Sequence, residues 1–146
     1  VHQKLTLHQT IQILILLLAS IEHCHRSGAV HRDINSTNVM INRNCLEMAS
    51  PTTQDVRLLD FEQSTRFRSP MSDTEYIFTG FHYSDLEHEE CRNIGHLIEF
   101  TLWHFNPLPS SLKDFIRRAN NKMFFTGPFR SALEMRHALE KAAANI

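Results

Sequence analysis

Glycine is scarce in this chain, with four in 146 residues at Gly28, Gly80, Gly95 and Gly127. Their wide separation leaves no glycine-rich loop whose backbone N–H groups could wrap a phosphate. Only three cysteines occur, Cys24, Cys45 and Cys91. Three cannot all pair within one chain, so the expectation is a reducing, intracellular and cytoplasmic setting. None of them lies in a motif that would activate a thiolate. Charge of one sign is missing too: 15 Lys and Arg against 16 Asp and Glu give a formal net charge of −1. That offers no general basic field to nucleic acid or to an acidic membrane, and neither is expected as a partner. The longest uninterrupted apolar run, Ile13 to Ala19, is seven residues, whereas a bilayer-spanning helix needs about 20. The basic, apolar and small-residue succession of a signal peptide is also lacking at the amino terminus.

What is present fits a folded domain. The chain is 42% hydrophobic and 21% charged, and a length of this order buries roughly 70% of its unfolded surface. Apolar residues at Ile11, Leu14, Leu17, Leu18, Ile21 and Cys24 recur at spacings of three and four, which predicts a long, largely buried helix over about 6–26. Thr6 with Gln9 makes a capping box for it and Ser27-Gly28 a stop. Val39-Met40-Ile41 and Val56-Arg57-Leu58-Leu59 read as two short strands joined by a polar hairpin connection. Residues 62–88 show neither period and read as irregular surface. A second apolar helix is expected over 91–105, a third over about 112–121 capped by Ser111, and a fourth over about 132–143 capped by Ser131. The fold class is therefore mainly α with a small β element.

The chemistry-bearing residues sit at the two strands. His31-Arg32-Asp33 is followed by Asn35 and Asn38 and then by the first strand, and the second strand ends in Leu59-Asp60-Phe61. Phosphoryl transfer from a nucleotide needs a carboxylate near the attacking hydroxyl and oxygen ligands that hold magnesium on the phosphates. Two short loops can supply both. This order of residues resembles the catalytic and magnesium loops of eukaryotic-type protein kinases. The resemblance implies a kinase carboxy-terminal lobe, covering about 6–139, that uses ATP and Mg²⁺ and takes a protein substrate or a partner kinase. Asp33 would orient the substrate hydroxyl, while Asn38 and Asp60 would hold magnesium on the nucleotide. His31 and Phe61 would be scaffold. Glu90 stands where the family has an Asp that holds the catalytic-loop backbone. Glu87 is the candidate partner of Arg130 in an ion pair closing the activation segment, set against the alternative of two solvated surface charges.

Several positions depart from the family pattern. Asn35 replaces the usual lysine, and can offer the transferring phosphate an amide hydrogen bond but no charge. Glu62 replaces a glycine and adds a carboxylate beside the metal loop. Lys4 is the only lysine before Asp33, and with no glycine flap the expectation is a lobe that begins after the nucleotide's upper clamp and transfers phosphate poorly alone. Three readings follow: a serine/threonine-type protein kinase in a full-length parent, a catalytically inactive lobe that binds or inhibits other kinases, and a small-molecule kinase of the choline-kinase or aminoglycoside-phosphotransferase type, which Asp60-Phe61-Glu62 also resembles.

Arg32 suggests control by phosphate, with Ser64, Thr65, Ser69, Ser72, Thr74 and Thr79 as candidate acceptors. Zinc is disfavoured, because His23 and His25 on a helix point about 200° apart and cannot chelate one ion. Both read as packing or surface residues. Phe100, Trp103, Phe105, Phe124, Phe125 and Phe129 could form a docking surface, with core packing the commoner use.

Overall fold

The computed structural model describes residues 5–46, 51–67, 69–72, 85–120, 129 and 131–146. Helix α1 spans Leu7–Arg26. Its capping box is formed: the Gln9 N–H donates to Thr6 Oγ1 at 3.1 Å and the Thr6 N–H to Gln9 Oε1 at 2.9 Å. Two orphan N–H groups at the helix start are thereby satisfied. The chain leaves α1 through Ser27 and Gly28, where φ is 92°, a conformation glycine adopts without steric cost.

Two antiparallel strand pairs follow. β1 (Ala29–Val30) pairs with β4 (Thr65–Arg66), and β2 (Val39–Ile41) pairs with β3 (Val56–Leu58), with Val39 opposite Leu58. Each pair forms its own two-stranded sheet. The first was not expected, because two-residue strands lying 35 positions apart carry no periodic signal.

Three further α-helices follow: α2 (Asp85–Leu102), α3 (Ser110–Ala119) and α4 (Ala132–Ala143). Helix α2 starts six residues before the expected 91, since Asp85, Glu87, Glu89 and Glu90 make its first six residues so acidic that they resemble open surface. Acidic residues are favoured at a helix N-terminus by the dipole. Ser111 does not cap α3; Pro109 takes the N-cap position, and the Ser111 hydroxyl instead donates to the Ala142 carbonyl at 2.7 Å. Ser131 caps α4 as expected, accepting from the Glu134 N–H at 3.0 Å.

The core lies where α1 meets α4, α2 and β3. Leu18 and Ile21 on α1, Ile94 and Ile98 on α2, Leu112 on α3 and Met135 and Leu139 on α4 are all fully buried. Gly95 is needed at the α2–α3 crossing, because a Cβ there would sit 3.1 Å from the Ala119 carbonyl oxygen. By length and composition α1 is apolar enough to cross a membrane, with mean hydropathy 1.3, a property that the seven-residue run alone does not reveal. Here its apolar face is spent on the core.

Candidate active site

The approach to the site begins at the end of α1. His25 is fully buried, and its Nε2–H donates to Glu90 Oε1 at 2.9 Å. The same carboxylate accepts the His31 N–H at 3.0 Å through Oε1 and the Arg32 N–H at 2.6 Å through Oε2. The extra methylene of Glu90 therefore does not prevent the hold on the loop backbone. Arg32 sits at φ 74°, in the left-handed region that a non-glycine residue enters at a cost. That turn aims two successive N–H groups at one carboxylate. Burial alone would raise the Glu90 carboxyl; the His25 bond and the two backbone N–H bonds outweigh it and hold it below the usual carboxylate range.

Sequence reasoning missed His25, which was read as a packing or surface residue. Its spacing from Leu18 and Ile21 gave the available signal: positions 18, 21 and 25 share one helical face, so a polar residue there faces the core and must find a partner. Cys24, assigned to that face from sequence, is only partly buried, whereas Cys91 is buried in the core. Burial, together with the Glu90 charge, pushes the Cys24 thiol up to about 11, which keeps it from acting as a thiolate.

His31 connects the two loops. Its Nε2–H donates to the Leu59 carbonyl at 2.7 Å, and its Nδ1 accepts the Asp33 N–H at 3.1 Å, a combination that only the Nε2–H tautomer can make. The Phe61 ring meets the His31 ring edge-on at 4.6 Å between centroids. The Leu59 N–H donates to the Asn38 carbonyl at 2.7 Å. Leu59 is thus bonded to the first loop through both its N–H and its carbonyl, and Asp60 follows it directly at φ 58°.

Asp33 is half-buried, and each of its carboxylate oxygens receives a side-chain amide: Asn35 Nδ2 at 3.1 Å from Oδ1 and Asn38 Nδ2 at 3.0 Å from Oδ2. Both amides also reach the Asp33 carbonyl, at 3.3 and 2.9 Å. Asn35 additionally caps the following turn, accepting from the Thr37 N–H at 2.9 Å and from the Thr37 hydroxyl. Asn38 is buried with its amide nitrogen committed to Asp33, so its Oδ1 is the atom left to face a cation. Asp60 is exposed. An amide oxygen and a carboxylate are hard donors of the kind magnesium takes alongside water and phosphate oxygens. Among the described residues no cluster of three or more His, Cys, Asp or Glu side chains could hold a metal by itself.

The chain matches the protein kinase domain family over residues 1–117. It is a member of that family. Among curated relatives, this kinase-family chain is 33% identical over 76 residues to the mitogen-activated protein kinase hog1 of Blastobotrys adeninivorans, covering 51% of this chain and 16% of that protein. It is 45% identical over 42 residues to a probable serine/threonine-protein kinase of Streptomyces coelicolor, covering 29% of this chain and 6% of the relative. The kinase-family chain thus spans a small part of the length of either. The family match stops within α3, and α4 lies beyond it.

Other expected features separate in the structure. Glu87 is fully buried, which overturns the solvated-charge reading for that residue; Arg130, its candidate partner, lies outside the described residues. The Arg32 guanidinium donates to the Thr65 hydroxyl at 3.2 Å, so Thr65 is the candidate phosphate acceptor that meets it among the described residues. Thr74 and Thr79 lie outside them.

Proposed function

We propose that this chain carries the catalytic and magnesium loops of a serine/threonine-type protein kinase, a carboxy-terminal lobe that in its full-length parent transfers phosphate from ATP to protein hydroxyls. The observation that carries the reading is the Asp33 carboxylate held on both oxygens by Asn35 and Asn38, with Asn38 bonded to the residue that precedes Asp60. Two amide donors fix the carboxylate plane, which suits a group that must meet a substrate hydroxyl in one orientation. Asn38 Oδ1 and the Asp60 carboxylate would hold magnesium, which supplies the charge that steadies the nucleotide phosphates. His31 and Glu90 act through the backbone, placing Asp33 without touching substrate.

The second reading, a lobe that binds other kinases without catalysing, draws on Asn35 and Glu62. A neutral amide stands where a cation would assist the phosphate, and Glu62, whose backbone N–H donates to Asp60 Oδ1 at 3.4 Å, adds a carboxylate beside Asp60. Magnesium-dependent ATP binding and phosphotransfer, measured beside Asp60→Asn, separates the two. The kinase reading expects a magnesium-dependent signal that falls at least about tenfold in the variant. Equal signals in both proteins would leave the binding-module reading standing.

A further inference from the structure

The aromatic residues from Phe100 to Phe129 form no single surface among the described residues: Phe129 is buried in the core, Phe105 packs against the core, Phe100 and Trp103 are exposed, and Phe124 and Phe125 lie outside the described residues. The loop that carries Asp33 is more closely knit.

The two amides on Asp33 come from the two ends of one short turn, Ser36–Asn38. Asn38 is its last residue and Asn35 caps its start, with the Asn38 N–H donating to the Asn35 carbonyl at 3.1 Å. Thr37 lies between them and is exposed. Its N–H donates to Asn35 Oδ1 at 2.9 Å, and its hydroxyl donates to the same oxygen. At the opposite end of that amide, Nδ2 donates to Asp33 Oδ1 and to the Asp33 carbonyl. A hydroxyl has a single proton to give, so the Thr37 O–H is committed to Asn35. Turned over, the amide would set Oδ1 against two acceptors on Asp33 and Nδ2 against the Thr37 N–H. Donors at one end and acceptors at the other therefore fix which way it points.

We infer that Thr37 is a positioning residue for Asp33: its hydroxyl anchors the Asn35 amide, and that amide holds the Asp33 carboxylate. The two amides differ in what else restrains them. Asn38 is buried, so packing helps to keep it in place. Asn35 is half-buried beside the exposed Ser36 and Thr37, where water competes for every bond it makes. The bonds from Thr37 supply the restraint that packing gives Asn38. The effect on phosphotransfer rests on the kinase reading of Asp33; the anchoring of Asn35 does not.

Thr37→Val removes the hydroxyl and keeps the branched shape and the N–H, while Thr37→Ser keeps the hydroxyl. Thr37→Ala is a second variant without it. All three should leave far-ultraviolet circular dichroism unchanged, because the side chain is exposed. The Asn35 side-chain amide is followed by heteronuclear NMR of the whole chain, its signals identified by their loss in Asn35→Ala. Exchange of those amide protons with water is expected to quicken about two- to tenfold in Thr37→Val and Thr37→Ala, the range one neutral hydrogen bond supports, and to stay at the wild-type rate in Thr37→Ser. Phosphotransfer should show a kcat lowered by a similar factor in Thr37→Val, restored in Thr37→Ser, with KM for ATP unchanged, because Thr37 acts through Asn35. The inference is overturned if exchange in Thr37→Val matches wild type, if Thr37→Ser behaves like Thr37→Val, or if an active Thr37→Val keeps the wild-type kcat. Phosphotransfer absent from wild type and variants alike would overturn the kinase reading of Asp33, and the amide exchange would still decide the anchoring.

Discussion

Glu90 accepts from one histidine and from two successive backbone N–H groups, so its charge is engaged on both oxygens inside the fold. Glu90→Gln keeps the size but offers one oxygen where two are used. An amide N–H would then face a backbone N–H, and the expected loss is about 2 kcal/mol, read from urea unfolding. The pH dependence follows from the same bonds. Glu90 is more acidic in the folded chain than its ordinary 4.5, so the unfolded chain takes up the proton first as pH falls. Its contribution to stability is complete above that ordinary value and is lost as the pH drops through the lower folded value. Wild-type stability should therefore fall more steeply than that of Glu90→Gln below about pH 4.5; parallel profiles would exclude Glu90 as the cause. That Asp33, Asn35 and Asn38 share one loop, and that Asp60 follows a strand, was legible in sequence because each lies in a short contiguous motif. His25 was not, because a polar residue on an apolar helix face looks incidental until its partner, 65 positions away, is known.

At the scale of elements, the helices α1 and α4 were legible almost to the residue, since each has a capping side chain and a regular apolar face. The start of α2 was hidden by its own acidity, and β1 and β4 by their brevity. The third helix was placed within two residues, but Ser111 was given a capping role that Pro109 fills. What no periodicity could express is how closely two helices approach. Gly95 lies against the Ala119 carbonyl, and Gly95→Ala would gain about 1 kcal/mol of helix propensity while forcing a backbone oxygen to retreat, an overpacking cost of about 1–3 kcal/mol. The expected balance is a net loss of about 1 kcal/mol, seen as a lower Tm. A higher Tm would mean that α3 yields freely.

Across the whole molecule, structure and chemistry share parts unevenly. Helix α1 packs on α4 and α2 and then delivers, through His25 and Gly28, the loop that carries Asp33. Asp33 is half-buried and Asp60 exposed. Asp33 does receive two amides, yet those belong to its own loop. On the proposed kinase function, removing Asp33 should reduce phosphotransfer far more than it reduces folding, while removing Glu90 should damage both.

The three-way grip of Glu90 also bears on how such a chain would drift over generations. If lineages kept this protein only for what it binds, Asp33 and Asp60 could be lost at little penalty, whereas changes at Glu90 would be purged because the chain would no longer mature in good yield. A mutant library selected for soluble expression alone should reproduce that history in miniature, accepting many residues at 33 and 60 and few at 90. Equal tolerance at all three positions would show that folding does not depend on the Glu90 carboxylate. The residue to track through descendants of this fold is then the one whose carboxylate is engaged wholly inside the fold.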